Sequence, residues 1–410
     1  MEYGKKVLII GTEASAYTLA KKLSNEVKVY VAPGSDAISE FANVVDIREN
    51  NVHELMEFVL ENDISLTILT SRLPDVDIAT VFQENNLPIF CPTKASAEIC
   101  ESKVSGKRFM YQNNILCPKS AVFDRPNLAC SYLEKSTYPV VIKTDKHQKK
   151  GICVCNNIAS AKSFIENIFS AGEKQILIEN YIWGHEFSFY VITDGYQAIP
   201  IGCVATYKYE LEGNGGLISS GMGAFSDNYK ISKNLRQKIM DRIINPTINS
   251  LAEQQKPYVG ILGLDLVVDD NDNIYAIEYN NFLKSPDAQV ILELIDGNIY
   301  DLLHSCAIGA FADEYEEIRL KSENAVSCVL CSGEISSEIE GLENLDEETE
   351  VAHNNTMKKN EKYMTSGGQT LVLTRKSRIL STAVRDLYEE VDVIKFAGKR
   401  YRRDIGVIIQ

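Results

Sequence analysis

The stretch GILGLDLVVDDNDNIYAIEYN, residues 260–280, reads as two strands joined by a turn at Asp272 and Asn273. Glu278 and Asn280 are two residues apart on the second strand, so their side chains leave the same face. Asp265 lies on the preceding strand of the same hairpin. Three oxygen-bearing side chains converging from paired strands suit Mg²⁺ (or Mn²⁺), a hard ion that takes carboxylate and amide oxygens. Upstream, PVVIKTD (139–145) puts Lys143 on a strand ending in Asp145. A lysine-rich loop, KHQKKG (146–151), follows and could fold over phosphates. Lys103 opens a helical stretch that also carries Lys107 and Arg108. Two cations for the phosphates of ATP and an acidic set for its metal are what transfer from ATP requires. Alone, a strand lysine is more often a solvated residue and a Glu-x-Asn pair more often surface. Their order and spacing together point to the nucleotide.

Working outward, the first hundred or so residues alternate short apolar runs with amphipathic stretches. KVLIIG (6–11), VKVYVAPG (27–34), SLTILTS (65–71) and LPIFCPT (87–93) are separated by helical patterns at 16–23 and 52–63. This alternation predicts an N-terminal doubly wound domain, a parallel sheet with helices on both faces. GTEASA lacks the G-x-G-x-x-G pattern, which excludes a dinucleotide fingerprint. A helix is expected over 231–254, and short strands with a basic end, KFAGKRYRRDIG, close the chain.

The 410 residues carry a net charge of −15, which argues against nucleic acid as a partner. A small anion stays open, because basic side chains can cluster inside an acidic protein. No apolar run reaches the ~18–20 residues of a membrane span. The apolar stretch after Lys5 and Lys6 is too short for a signal peptide. A cytoplasmic protein with reduced thiols is expected, and the isolated Cys328-x-x-Cys331 reads as core thiols.

Taken in order, several further segments carry a resemblance. They are PTKASAEICESKVSGKRFM (92–110), ILIENYIWGHEFSF (176–189), SGMGAFS (220–226), AIEYN with SPDAQ (276–280, 285–289), TSGGQTL (365–371) and YRRDIG (401–406). With PVVIKTD they resemble the ATP-grasp superfamily and, within it, the phosphoribosylamine–glycine ligase family. The resemblance implies an α/β (α+β) ATP-grasp fold in three parts: an N-terminal doubly wound domain (1–100), a central ATP-grasp unit (101–322, with a lid at about 119–190) and a C-terminal β-rich domain (323–410). It implies ATP and Mg²⁺ as cofactors, and small carboxylate and amine substrates joined through an acyl phosphate. It also implies no nucleic-acid or membrane partner, and a monomer or homodimer.

The resemblance assigns Lys103 and Lys143 to the phosphates. It assigns Glu179, Asn180, Tyr181 and Ile182 to the adenine-reading hinge, and Glu186 to the ribose hydroxyls. Asp265, Glu278 and Asn280 form its metal set, and Lys143, Lys284 and Asp287 its catalytic set. Gly11, Thr12, Gly221, Gly223, Gly367, Gly368, Arg402 and Arg403 are its candidates for the substrate side.

That side departs from the family. The family's G-N-G-G-R-E-H reads Gly11-Thr12-Glu13-Ala14-Ser15-Ala16-Tyr17, its arginine two residues beyond the metal asparagine is Phe282, and Gln369 replaces another. Lys284 can supply charge without the guanidinium's fork. A paralogue joining a different acid or amine is therefore the expectation. A diverged glycine ligase of purine biosynthesis is the alternative, and an inactive nucleotide sensor or scaffold the second alternative.

Overall fold

The computed structural model describes residues 4–146, 151–226 and 231–407. The expected lysine-rich loop therefore falls largely outside the described residues.

Lys6–Gly11 sits at the centre of a five-stranded parallel sheet. The order is Asn43–Val44, Lys28–Pro33, Lys6–Gly11, Leu66–Leu69, Ile89–Phe90. Val7 and Ile9 join one hydrophobic core and Leu8 and Ile10 another. Alternate residues of a strand face opposite sides, so an unbroken apolar run is what a strand covered by helices on both faces needs. The helices are Ala14–Leu23, Val52–Glu61 and Ile78–Glu84.

The remaining strands are antiparallel. One eight-stranded sheet runs in the order Ile274–Asn280, Val259–Val268, His185–Asp194, Ala198–Thr206, Gly223–Ser226, Asn324–Ser332, Gly368–Ser377, Glu350–His353. The boundary expected at 322–323 lies within this continuous sheet, because Asn324–Ser332 pairs directly with Gly223–Ser226. A separate four-stranded sheet, Ser120–Phe123, Ile176–Asn180, Val140–Thr144, Ile152–Cys155, is covered by Pro126–Leu133 and Ile158–Ser170. This sheet lies within the lid expected at about 119–190, and Ile176–Asn180 is its last strand in chain order. His185–Asp194 pairs along its whole length with Val259–Val268 and so belongs to the large sheet. The helix expected over 231–254 is interrupted: Lys233–Ile239 widens into a π turn at Met240–Ile244 before Asn245–Glu253. Pro246 has no N–H to donate and its ring crowds the preceding turn, which a wider turn relieves.

The parts are tied by buried charge. Glu293 receives Lys22 from the first helix at 2.6 Å and Lys376 from a C-terminal strand at 3.0 Å. Glu26 accepts the free backbone N–H groups of Ile299 and Tyr300, at 3.0 and 2.8 Å, where the helix Ile299–Ile308 begins.

Candidate nucleotide and substrate site

The lid meets the large sheet at the helix Lys103–Gln112. Ser102 caps this helix by accepting from Ser105 N. Asp145, at the end of the lid strand, also accepts there, from Ser102 Oγ at 2.7 Å and Val104 N at 3.0 Å. A carboxylate at a helix N-terminus satisfies free N–H groups and opposes the helix dipole. It therefore fixes the start of the helix, and with it Lys103, against the lid.

Lys103 and Lys107 are four residues apart and share a helix face. Lys103 pairs with Glu278 at 3.2 Å and Lys107 with Glu179 at 2.8 Å. Lys143 reaches the other oxygen of Glu179 at 2.7 Å. All three lysines and Glu179 are buried, where an unpaired charge is strongly disfavoured. Burial opposes charge on Lys143, but Glu179 and Glu278 outweigh it and raise its pKa. Burial likewise opposes ionisation of Glu179, and the two lysines outweigh it and hold its carboxyl low. The ladder between Val259–Val268 and Ile274–Asn280 slips between Asp265 and Leu266, leaving Ile277 bulged. Lys107 Nζ donates to the Ile277 carbonyl at 3.4 Å. The bulge thus contributes to holding the lysine.

The expected metal residues come together. Asp265 and Glu278 are direct cross-strand partners, and Asn280 lies opposite Gly263. Asp265 accepts from Ser188 Oγ at 2.6 Å, and pairs with Lys208 at 3.1 Å and Lys284 at 3.6 Å. Burial works against its charge, yet the two lysines dominate and push its pKa well below the usual range. Asn280 Nδ2 is buried without a hydrogen-bond partner. Asp265, held ionised, lies with the Glu278 carboxylate and the Asn280 carboxamide on paired strands, and oxygens of these kinds are what a hard divalent ion takes. Among the described residues no cluster of three His, Cys, Asp or Glu side chains is placed to hold a metal ion.

At the hinge, Asn180 is exposed at the strand end, and Tyr181 lies edge-on to Trp183 with ring centroids 4.8 Å apart. The Glu179 side chain faces the lysines, and the backbone beyond it lies outside that cluster. Glu186 is half-exposed, and one of its oxygens is taken by Lys208 at 2.5 Å.

Asp287, expected among the catalytic residues, does not join this cluster. It is fully buried, accepting from Tyr190 Oη at 2.7 Å and Thr206 Oγ1 at 2.8 Å. Burial raises its pKa. It fixes the start of the helix Asp287–Leu294 against the sheet and presents no free oxygen to a substrate. Lys284 does join, through Asp265.

The substrate-side candidates divide. Gly11, Gly221 and the turn Gly367–Gly368 are drawn together by carboxamides. Asn354 accepts from Ala14 N at 3.1 Å and donates to the Gln369 carbonyl at 3.1 Å. Gln369 donates to the Gly221 carbonyl at 2.7 Å. Thr12 is exposed beside them. Gly11 is demanded by packing, since a Cβ there would stand 2.2 Å from Thr70 Oγ1. Gly223 is a spacer of the same kind, its Cβ position 2.1 Å from Ile405 Cδ1. Arg402 is committed within the chain. It is buried over the Tyr207 ring and forks onto Asp404 at 2.7 and 2.6 Å, while donating to Tyr209 O at 3.0 Å. Asp404 also accepts from Gly213 N at 3.0 Å. The basic end therefore staples the glycine-rich loop. Arg403 is exposed, against Tyr401. Phe282 lies in an apolar crevice with Leu19, Ile261 and Leu283.

Sequence reasoning missed Lys208 as a site residue, along with Asn354 and the capping role of Asp145. Lys208 is flanked by two tyrosines just after a buried strand, and nothing in that spacing separates it from a solvated lysine. Asn354 acts through contacts 15 and 340 residues away, which no local pattern carries.

Three family models cover almost the whole chain. They are the N domain of phosphoribosylglycinamide synthetase at residues 5–100, its ATP-grasp (A) domain at 101–288 and its C domain at 332–408. A phosphoribosylamine–glycine ligase of Clostridium acetobutylicum is 31% identical over 98% of this chain and 99% of its own length. One from Halalkalibacterium halodurans is 30% identical over 98% of this chain and 96% of its own. The crystal structure of a phosphoribosylamine–glycine ligase from Thermotoga maritima has the same fold, with a TM-score of 0.83 at 23% identity over 97% of this chain and 99% of that one.

Proposed function

The chain belongs to the phosphoribosylglycinamide synthetase family of ATP-grasp carbon–nitrogen ligases, and on that premise we propose that it joins glycine to phosphoribosylamine at the expense of ATP. The observation that carries this reading is the buried Lys103–Glu278 and Lys107–Glu179–Lys143 pairing where the lid meets the large sheet. Full-length similarity to named glycine ligases supports that reaction over the recruited paralogue that the eroded substrate motifs suggested.

Lys103 and Lys143 bind the phosphates, the backbone of Asn180, Tyr181 and Ile182 reads adenine, and the free oxygen of Glu186 accepts a ribose hydroxyl. Asp265, Glu278 and Asn280 would hold Mg²⁺, which when bound would offset charge on the phosphates. A carboxylate oxygen of glycine attacks the γ-phosphorus, ADP leaves and an acyl phosphate forms. The amine then attacks the acyl carbon and phosphate leaves. Lysines fixed before reaction stabilise the charge that develops, without reorganising. Lys284 supplies a point charge beside the position of the absent arginine. The carboxamides of Asn354 and Gln369 shape the wall that faces the second substrate. A first domain limit near 100, a monomer or homodimer and a cytoplasmic setting go with this reading. Among the described residues no helix is long and apolar enough to cross a membrane.

The test is ADP release with ATP, Mg²⁺, glycine and phosphoribosylamine, omitting each in turn. Release that requires all of them is expected. Silence here, with release on another acid–amine pair, favours the paralogue. Silence on every pair, with ATP bound by calorimetry, favours a sensor.

A further inference from the structure

The lid strand Ile152–Cys155 carries Cys153 and Cys155 two residues apart, so both thiols leave one face. Their sulfurs are 3.5 Å apart. Cys155 is fully buried in the lid core with Ala129, Leu133, Ala161 and Ile165, and Cys153 is half-buried at its edge. The Cys155 thiol donates to the Cys153 sulfur, which draws the Cys153 thiol below the ordinary range. That same bond pushes Cys155 up. Elsewhere the contrast is plain: burial pushes the thiols of Cys91, Cys100, Cys306 and Cys328 up. An accessible sulfur with thiolate character next to a second, buried sulfur is the arrangement of an attacking and a resolving thiol.

We propose that Cys153 and Cys155 are a hydroperoxide-reactive dithiol, a modification site whose disulfide form weakens nucleotide binding by bending the lid. The Cys153 thiolate attacks a peroxide oxygen and breaks the O–O bond. This gives a sulfenic acid at Cys153 and releases the other oxygen as water or alcohol. The Cys155 sulfur then attacks the Cys153 sulfur, expelling the hydroxyl as water and leaving the disulfide. Two electrons pass from the sulfurs to the peroxide, and both thiol protons leave in the products. Residues two apart on a strand have Cα atoms ~6.6–6.8 Å apart. That is the upper end of the ~4.4–6.8 Å range of disulfides. The bond therefore bends the strand and is easily reduced. Bending reaches the nucleotide side directly. Ile152 pairs with Lys143 and Cys153 with Ile142, and Thr144 N donates to Gly151 O at 2.8 Å.

The effect on nucleotide rests on the proposed ATP site, whereas the chemistry of the thiols does not. Reduced protein is exposed to hydrogen peroxide, alkylated and digested with trypsin. The peptide 151–162 contains both cysteines and no other. The expected result is loss of two hydrogens from that peptide, resistance to alkylation, and recovery with dithiothreitol. Cys153→Ser should not show the loss. Both thiols remaining alkylatable, or Cys153 passing to sulfinic acid with no disulfide, would overturn the site. In parallel, MgATP is titrated against the emission of Trp183, the one tryptophan of the chain. Several-fold weaker binding after oxidation of wild type, with no change in Cys153→Ser, is expected. Equal affinity of the two forms would overturn the coupling to the lid. Failure of the reduced wild type to bind ATP would count against the proposed nucleotide site, and the peptide mass would still decide the dithiol.

Discussion

On the proposed nucleotide side of the cleft, buried and half-buried lysines and carboxylates alternate. Lys103 meets Glu278, Glu179 takes Lys107 and Lys143, and Asp265 takes Lys208 and Lys284. On the proposed substrate side the carboxamides are neutral and bonded to neighbouring backbone groups. Asn354 holds the first helix and the Gln369 carbonyl, Gln369 holds Gly221, and Phe282 lies in an apolar crevice. The difference separates two demands. A triphosphate with its metal requires fixed charge in a dry place, and fixed charge there must be paired to persist. A wall that meets a small amine can be built from amides, whose partners are exchanged without a large electrostatic penalty. The second side is therefore freer to diverge.

The largest effect should come from breaking the charged side. Glu179→Ala leaves two buried lysines without their shared counter-ion. It should lower unfolding free energy in urea by ~3–5 kcal/mol. A loss under about 1 kcal/mol would mean that the lysines find solvent and that the pairing is incidental. Glu278→Gln should keep the fold by circular dichroism and reduce ADP release by about a hundred- to a thousand-fold. Unchanged turnover would remove Glu278 from the metal set.

The neutral side has its own signature in His353. It packs between Tyr17 and Tyr363, and burial lowers its pKa to about 4. The ordinary value is about 6.5. A lowered folded pKa means that the unfolded chain takes up the proton first. The stability from neutral His353 is complete above pH ~6.5 and is lost as pH falls toward about 4, to a limit of ~3 kcal/mol. His353→Gln should flatten stability over that window, and an unchanged pH profile would place the titration elsewhere. The smallest effect belongs to Gln369→Ala, about 1 kcal/mol of stability. The KM for the amine should rise while that for ATP stays fixed. A shift in the ATP KM alone would contradict the division of the cleft.

The same contrast decides what the sequence revealed. Asp265, Glu278 and Asn280 stand on one hairpin with local spacing, so their convergence was legible, as was the parallel sheet around KVLIIG; Lys103 and Lys143 were placed with them by motif order and resemblance. Asp287 and Arg402 looked functional because motifs carry them, yet both are buried and spent on neighbouring groups. Burial depends on packing from elsewhere in the chain, and no motif encodes it. The continuous eight-stranded sheet was hidden for a related reason. Gly223–Ser226 meets Asn324–Ser332 across about a hundred residues, and strand pairing at that range leaves no periodic trace.

Activation of a carboxylate by ATP is the step on which the proposed function stands. Glycine labelled with heavy oxygen in its carboxylate is incubated with the protein, MgATP and phosphoribosylamine, and the released phosphate is weighed by mass spectrometry. Passage through an acyl phosphate predicts one heavy oxygen per phosphate released. Turnover that yields only unlabelled phosphate would contradict it.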